Sequence, residues 1–334
     1  MRESLADVLG ARTNAARIPF GFGAANLGNL YRAVDDETAR ACVNTAWARG
    51  IRYFDTAPHY GLGLSEQRLG AALAQFPRDE FVLSTKVGRL LVPNPAPTGS
   101  DLAGGAFAVP DDLTRSWDFS AGGVRRSLED SLTRLGLDRI DIVLVHDPDE
   151  HADEALAGAF PELVRMRDEG LVQAIGVGMN QWQLPLRFVQ ESDLNVVMLA
   201  GRFTLLDRSG LPLLEECARR RVAVLAAAPF NSGVLAKDDP SPQAHFNYAP
   251  VTPSVLEVAR RLAQVARNLD VTLPQAALQF PLRHQAVTTV VSGIGQPRYV
   301  STSLDWLGAP VPDEFWSAAD AIVQAAGPLT PGFA

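Results

Sequence analysis

The chain has 334 residues, 47% apolar and 20% charged, which excludes a disordered protein and suits either two average domains or one α/β barrel. Thirty Lys and Arg against thirty-eight Asp and Glu leave a net charge of −8. No diffuse positive field is available to draw in nucleic acid or an anionic membrane, so an anionic ligand needs a local site.

Short β-branched runs alternate with stretches of helical periodicity, the pattern of βαβ units in a parallel sheet. A first strand is read at 18–24 (IPFGFGA), followed by a helix near 36–49. The second strand, 51–55 (IRYFD), precedes a helix at 64–75. The third, 81–86 (FVLSTK), runs into 88–118, a segment rich in Pro and Gly, and then a helix at 121–136. The fourth is 140–146 (IDIVLVH). Helices near 152–169, 181–190 and 210–220 separate it from strands at 172–177 (VQAIGV), 195–199 (NVVML) and 222–226 (VAVLA). A Pro-rich segment at 236–253 and a helix at 254–268 lead to the eighth strand, 288–292 (TTVVS), and a closing helix at 296–306.

Eight βα units with no linker to split them predict one (β/α)8 TIM barrel over the whole chain, 1–334, with its core at 18–306 and a tail at 307–334. The long loops 88–118 and 236–253 follow strands 3 and 7, on the face where barrels keep their active sites, and are read as lids. Cys42 and Cys217 form neither a C-x-x-C pair nor a disulfide framework, a pattern expected of a cytoplasmic protein. The start MRESLADVLG has no apolar leader and no run of ~18 apolar residues follows, so neither export nor a membrane span is expected.

Ionisable groups fall at the ends of strands. Asp55 closes the second, Lys86 the third and His146 the fourth, and Asn180 follows the fifth, so a barrel brings all four to one rim. Tyr60 lies just beyond Asp55 in DTAPHYG. A phenol with an ordinary pKa of ~10 is a weak base at neutral pH, but an ammonium such as Lys86 favours its phenolate. Asp55 is placed to hold Lys86, and His146 to orient an oxygen beside Tyr60, an arrangement suited to proton transfer at oxygen. Lys86 with Asp55 also suits a Schiff-base isomerase or lyase. His59, His151, His245 and His284 are read as structural, and no ligand cluster suggests a metal. In GFG (21–23) and GIG (293–295) the third glycine of a dinucleotide fingerprint is replaced by Asn26 and Arg298. Gly293 and Gly295 nevertheless open a helix whose free N–H groups can bind phosphate.

Several segments together resemble the aldo-keto reductase superfamily: GIRYFDTAPHYGLGLSEQRLGAAL (50–73), STKVGR (84–89), SLTRLGLDRIDIVLVHDPD (131–149), GVGMN (176–180) and SGIGQPRYV (292–300). The HDPD, GVGMN and GRFTLLDR elements look like the branch with L-fucose, L-galactose and D-threo-aldose 1-dehydrogenases and pyridoxal 4-dehydrogenase. The resemblance implies a catalytic tetrad of Asp55, Tyr60, Lys86 and His146, with Tyr60 as general acid/base. It also implies a nicotinamide cofactor touched by Gly23, Ala24, Asp55 and Asn180. Phe230, Ser232, Gly233 and Leu235 would cover its pyrophosphate, and Ser292, Gly293, Ile294, Gln296 and Arg298 its adenosine end. Met179, Ala200 and Ala227 depart from the common pattern around the nicotinamide. The segment 293–299 lacks the usual Lys and Arg pair and keeps Gln296, Arg298 and Tyr299. That favours NAD over NADP, with NADP as the alternative.

The implied reaction is oxidation of a cyclic hemiacetal, such as the ring form of L-fucose, L-galactose or D-arabinose, at the anomeric carbon to a lactone. Pyridoxal oxidation to 4-pyridoxolactone and general aldehyde or ketone reduction are the alternatives. Trp117 and Phe119 on the first long loop are candidate substrate contacts. The implied partner is a small sugar or other hemiacetal, with no nucleic acid and no membrane, and the oligomeric state is left open.

Overall fold

The computed structural model describes residues 18–329. Eight parallel strands close a barrel in chain order: β1 (Phe20–Gly23), β2 (Tyr53–Asp55), β3 (Val82–Val87), β4 (Ile142–His146), β5 (Ala174–Met179), β6 (Val196–Ala200), β7 (Ala223–Ala227) and β8 (Val287–Gly293). Each expected strand is present, with ends displaced by at most two residues.

The strand period of two decides which side chains fill the barrel. Tyr53, Val82, Ile142, Leu144, Ala174, Val196, Met198, Ala223, Leu225 and Val291 form one interior cluster. The alternate residues, such as Leu83, Val143, Val145 and Val197, join the larger core between the sheet and the helices. Tyr53 crosses the interior and its hydroxyl lies 2.8 Å from Ser84 Oγ. A Cβ on Gly21 would sit 2.5 Å from the Tyr53 ring, so β1 must be bare there.

Helices begin where short polar side chains cap them. Asp35 accepts from Thr38 N–H ahead of Asp36–Ala48, Ser120 from Gly123 N–H ahead of Ala121–Leu135, and Thr252 from Val255 N–H ahead of Pro253–Asn268. The stretch read as one helix at 152–169 contains a π-helical turn, Ala155–Ala159. There Gly158 passes so close to the Phe119 carbonyl that a Cβ would stand 2.7 Å from it.

Both long loops carry more order than a loop reading implies. Arg89–Pro93 pairs antiparallel with Leu113–Trp117, making a hairpin over the barrel mouth. Its tip is stitched to the loop after β1 by Tyr31 N–H to Ala106 O (2.8 Å) and Ala108 N–H to Asn29 O (2.9 Å). In the second segment His245–Phe246 pairs with Ala249–Pro250. The stretch after 306 holds a helix, Asp313–Ala326, whose Phe315 is fully buried. A helix at Leu273–Gln279, which sequence reading missed, is capped by Thr272.

Candidate active site

The same alternation that fills the barrel builds the site. Tyr53, Val82 and Ile142 with Leu144 face the interior, so Asp55, Lys86 and His146 are the last inward-facing residues of β2, β3 and β4. Across the mouth the corresponding positions are small: Gly178 on β5, Ala200 on β6, Ala227 on β7 and Gly293 on β8. One half of the rim is therefore ionisable and the other half bare.

Lys86 Nζ donates to Asp55 Oδ2 (2.8 Å), Asp55 Oδ1 (3.0 Å), the Thr56 carbonyl (3.0 Å) and Tyr60 Oη (3.1 Å). Ser84 Oγ, 2.7 Å from Asp55 Oδ1, donates to the same carboxylate. Burial by itself depresses an ammonium, but the Asp55 carboxylate and the Tyr60 oxygen outweigh it and hold the Lys86 pKa above its ordinary value. A Schiff-base lysine must present a neutral amine. Lys86 does not, and the lyase reading falls.

The net shift at Tyr60 is opposite in sign to the sequence expectation. Burial pushes its phenol up, and the lowering by Lys86 offsets this only in part, so the group is a phenol at rest. The His146 ring stands perpendicular to that of Tyr60, 5.9 Å away. Burial, then Arg89, Lys86, His59 and Arg115, keep His146 neutral, far below its ordinary value. Among the described residues its Nδ1 is buried with no partner, and its Nε2 is 3.6 Å from Asp147 Oδ2.

The hairpin contributes cations that sequence reading did not single out. Arg89 Nη2 donates to Asp147 Oδ2 at 2.6 Å. Burial nevertheless raises the Asp147 carboxyl to about 6. Arg115 holds His59, which had been set aside as structural but stands edge to face with His146 at 5.6 Å. Of the two aromatics expected to meet substrate, Trp117 is 48% exposed at the hairpin base, paired with Arg89. Phe119 is not available to a substrate. Its ring is fully buried against Gly88, where a Cβ would lie 2.1 Å away, and it anchors the hairpin to the barrel.

The other expected residues lie along the bare half. Asn180 is exposed just after β5, its carbonyl accepting from Arg202 Nε (2.7 Å) and its Oδ1 from the Tyr248 hydroxyl (3.3 Å). Tyr248 N–H in turn donates to Ser232 Oγ at 2.9 Å, so the second long loop is fastened across residues 230–233. Asn231, Ser232 and Gly233 all have positive φ, and Phe230 packs edge-on to Trp306. Gly23 and Gly293 are paired in register at the ends of β1 and β8. Gln296 caps the helix Pro297–Gly308 without a side-chain hydrogen bond, and Arg298 lies over its neighbour Tyr299. Ser292 is buried at the end of β8. Ala24, Leu235 and Ile294 are buried as well. The Leu235 and Ile294 N–H groups bond to the Phe230 and Gly23 carbonyls, and the Ala24 carbonyl accepts from Ser65, so these three shape the turns.

Residues 19–324 match the model of the aldo/keto reductase family. The chain belongs to that family. This aldo/keto reductase is 48% identical over 301 residues to D-threo-aldose 1-dehydrogenase of a Pseudomonas species, covering 89% of this chain and 91% of the relative. It is 36% identical to pyridoxal 4-dehydrogenase of Microbacterium luteolum (92% and 94% covered) and 28% identical to L-galactose dehydrogenase of Arabidopsis thaliana (93% and 92% covered). The solved structure of a glycerol dehydrogenase from Gluconobacter oxydans shares the fold, with a TM-score of 0.76 at 22% identity over 96% of each chain. As a family member the protein is an NAD(P)-dependent oxidoreductase. Among the described residues no helix is long and apolar enough to cross a membrane, and no group of three or more His, Cys, Asp or Glu is placed to hold a metal. Both cysteines are buried and unpaired.

Proposed function

We propose that this aldo/keto reductase oxidises the ring hemiacetal of an aldose at its anomeric carbon to a lactone, with NAD as acceptor. The division of the rim is the observation that carries the reading. A flat ring seated over Gly178, Ala200, Ala227 and Gly293 would face Asp55, Lys86, Tyr60 and His146 across the mouth. The turns at 23–24, 230–233 and 292–296, with the uncapped helix start at Gln296, fit the rest of a dinucleotide. Arg298 is the one cation in 292–299, which supports NAD over NADP.

When bound, the nicotinamide supplies the hydride acceptor. The resting Tyr60 phenol first releases its proton to solvent, and the phenolate, stabilised by Lys86, then takes the proton of the anomeric hydroxyl. His146, neutral and buried, donates a hydrogen bond to the same oxygen and orients it. The similarity to D-threo-aldose 1-dehydrogenase supports an aldose, and the similarity to pyridoxal 4-dehydrogenase supports an internal hemiacetal as the shared feature.

The test follows NADH and NADPH formation with L-fucose, L-galactose, D-arabinose and pyridoxal, and identifies each product. Lactone from an aldose, with kcat/KM for NAD at least tenfold above that for NADP, is the expected result. Faster oxidation of pyridoxal than of any sugar, or aldehyde reduction far exceeding all hemiacetal oxidation, would overturn the substrate. Equal efficiency with the two dinucleotides would overturn the cofactor preference.

A further inference from the structure

His59 precedes Tyr60 and lies in the ionisable half of the rim. Its ring is 5.6 Å from that of His146 and 6.1 Å from that of Tyr60, with Phe107 closing a third side at 5.3 Å. Arg115 reaches it from the hairpin, donating Nε–H to His59 Nδ1 at 2.7 Å and Nη2–H to the His59 carbonyl at 3.1 Å. Arg115 is itself fixed, because both of its Nη groups donate to the buried Asp101 carboxylate.

This network determines the tautomer. An imidazole that accepts at Nδ1 carries its one proton on Nε2. Burial, together with Arg89, Arg115 and Lys86, pushes the His59 pKa down to about 2, so no second proton is added. Among the described residues Nε2–H has no acceptor, and the His59 side chain is only partly buried. A fixed donor therefore stands open beside the two side chains that hold the reacting oxygen. The near-equal separation of the His59 ring from both rings matches a neighbouring substituent of the substrate and not the reacting oxygen itself.

We propose that His59 is a specificity-determining residue whose Nε2–H donates a hydrogen bond to the hydroxyl oxygen on the carbon next to the reacting carbon, with Arg115 as its positioning residue. The inference rests on the aldose reading above. A site built to pair a substrate hydroxyl discriminates against an analogue that lacks it.

Oxidation of an aldose and of its 2-deoxy analogue is compared in the wild type, His59→Phe, His59→Gln and Arg115→Met, with dinucleotide affinity measured in parallel. His59→Phe is expected to lower kcat/KM about tenfold for the aldose, mainly through KM, and less than threefold for the 2-deoxy sugar. His59→Gln, which offers an amide donor, recovers part of the preference. Arg115→Met loses part of it while leaving His59 in place, and it carries the test if the phenylalanine variant does not fold. Equal losses on both sugars overturn the role of His59 while leaving aldose oxidation intact. Absence of aldose oxidation in the wild type overturns the parent reading, and this inference with it.

Discussion

Replacing Asp55 by Asn keeps the shape of the side chain at the end of β2 and removes the charge that faces Lys86. The two side chains are 4% and 2% exposed, so the ammonium is left uncompensated inside the barrel mouth. Breaking a buried pair by removing one partner costs about 3–5 kcal/mol. With ~2.1 cal/mol/K per residue, the unfolding entropy of the 334-residue chain is about 0.7 kcal/mol/K, and the loss corresponds to about 4–7 °C in Tm. Lys86 relieves part of this by shedding its proton, because burial opposes the ammonium once the carboxylate is gone. That relief also removes the field that favours the Tyr60 phenolate, and turnover falls about tenfold for each unit by which the Tyr60 pKa rises. The double variant Asp55→Asn with Lys86→Met separates the two effects. It regains most of the lost stability, since replacing a buried pair as a whole is often nearly neutral, while its turnover stays lost. Calorimetry and initial rates on the wild type and these two variants read this directly. An Asn variant with unchanged Tm, or a double variant that recovers turnover, refutes the reasoning.

Tyr60→Phe removes the proton acceptor with little change in volume. It is expected to bind dinucleotide normally while kcat falls by about 10²–10⁴, and near-normal kcat in the folded variant argues against Tyr60 as the acid/base. The pH profile has a definite sign. Burial holds the Tyr60 phenol above its ordinary value, so the base form grows throughout the neutral and mildly alkaline range, and chemistry-limited oxidation rises with pH at a log slope approaching +1. A flat profile in that range contradicts the assignment. His146→Gln is expected to raise KM for substrate more than tenfold with dinucleotide affinity within twofold of wild type. A large loss of dinucleotide affinity with intact turnover reassigns that side chain.

The barrel was legible because its strands are short, mostly apolar runs that alternate with helical patterns, and its chemistry sits where those runs end. Asp55, Lys86 and His146 are each in phase with apolar residues two or four positions earlier, and that phase alone fixes their direction. What was not legible depends on partners distant in sequence. The hairpin strand at Arg89–Pro93 is separated from its mate by 19 residues, and the prolines and glycines between disguise both. His59 has the appearance of any lone histidine until Arg115, 56 residues away, is placed against its Nδ1. Phe119 reads as a pocket residue in the sequence because an aromatic on a loop is ambiguous, and the missing Cβ of Gly88, which makes its socket, carries no signal by itself. The direction of the Tyr60 shift is not legible in the sequence, which shows the neighbouring charge and hides the burial that outweighs it.

The hairpin over the mouth is attached to the chemistry by two guanidinium clasps, Arg89 on Asp147 and Arg115 on His59. Each clasp joins an inserted strand to a rim residue lying elsewhere in the chain, and Arg115 depends in turn on Asp101 within the insertion. The segment 88–118 is therefore not an interchangeable cover. Grafting another loop in its place would strand a partly buried carboxylate at 147 and leave the imidazole at 59 free to change tautomer. Transplanting only the hairpin into a second barrel would leave Arg89 without its carboxylate and Arg115 holding Asp101 but no imidazole. The transferable unit is the hairpin together with positions 59 and 147, and a recombined barrel keeps both clasps only when all three travel together.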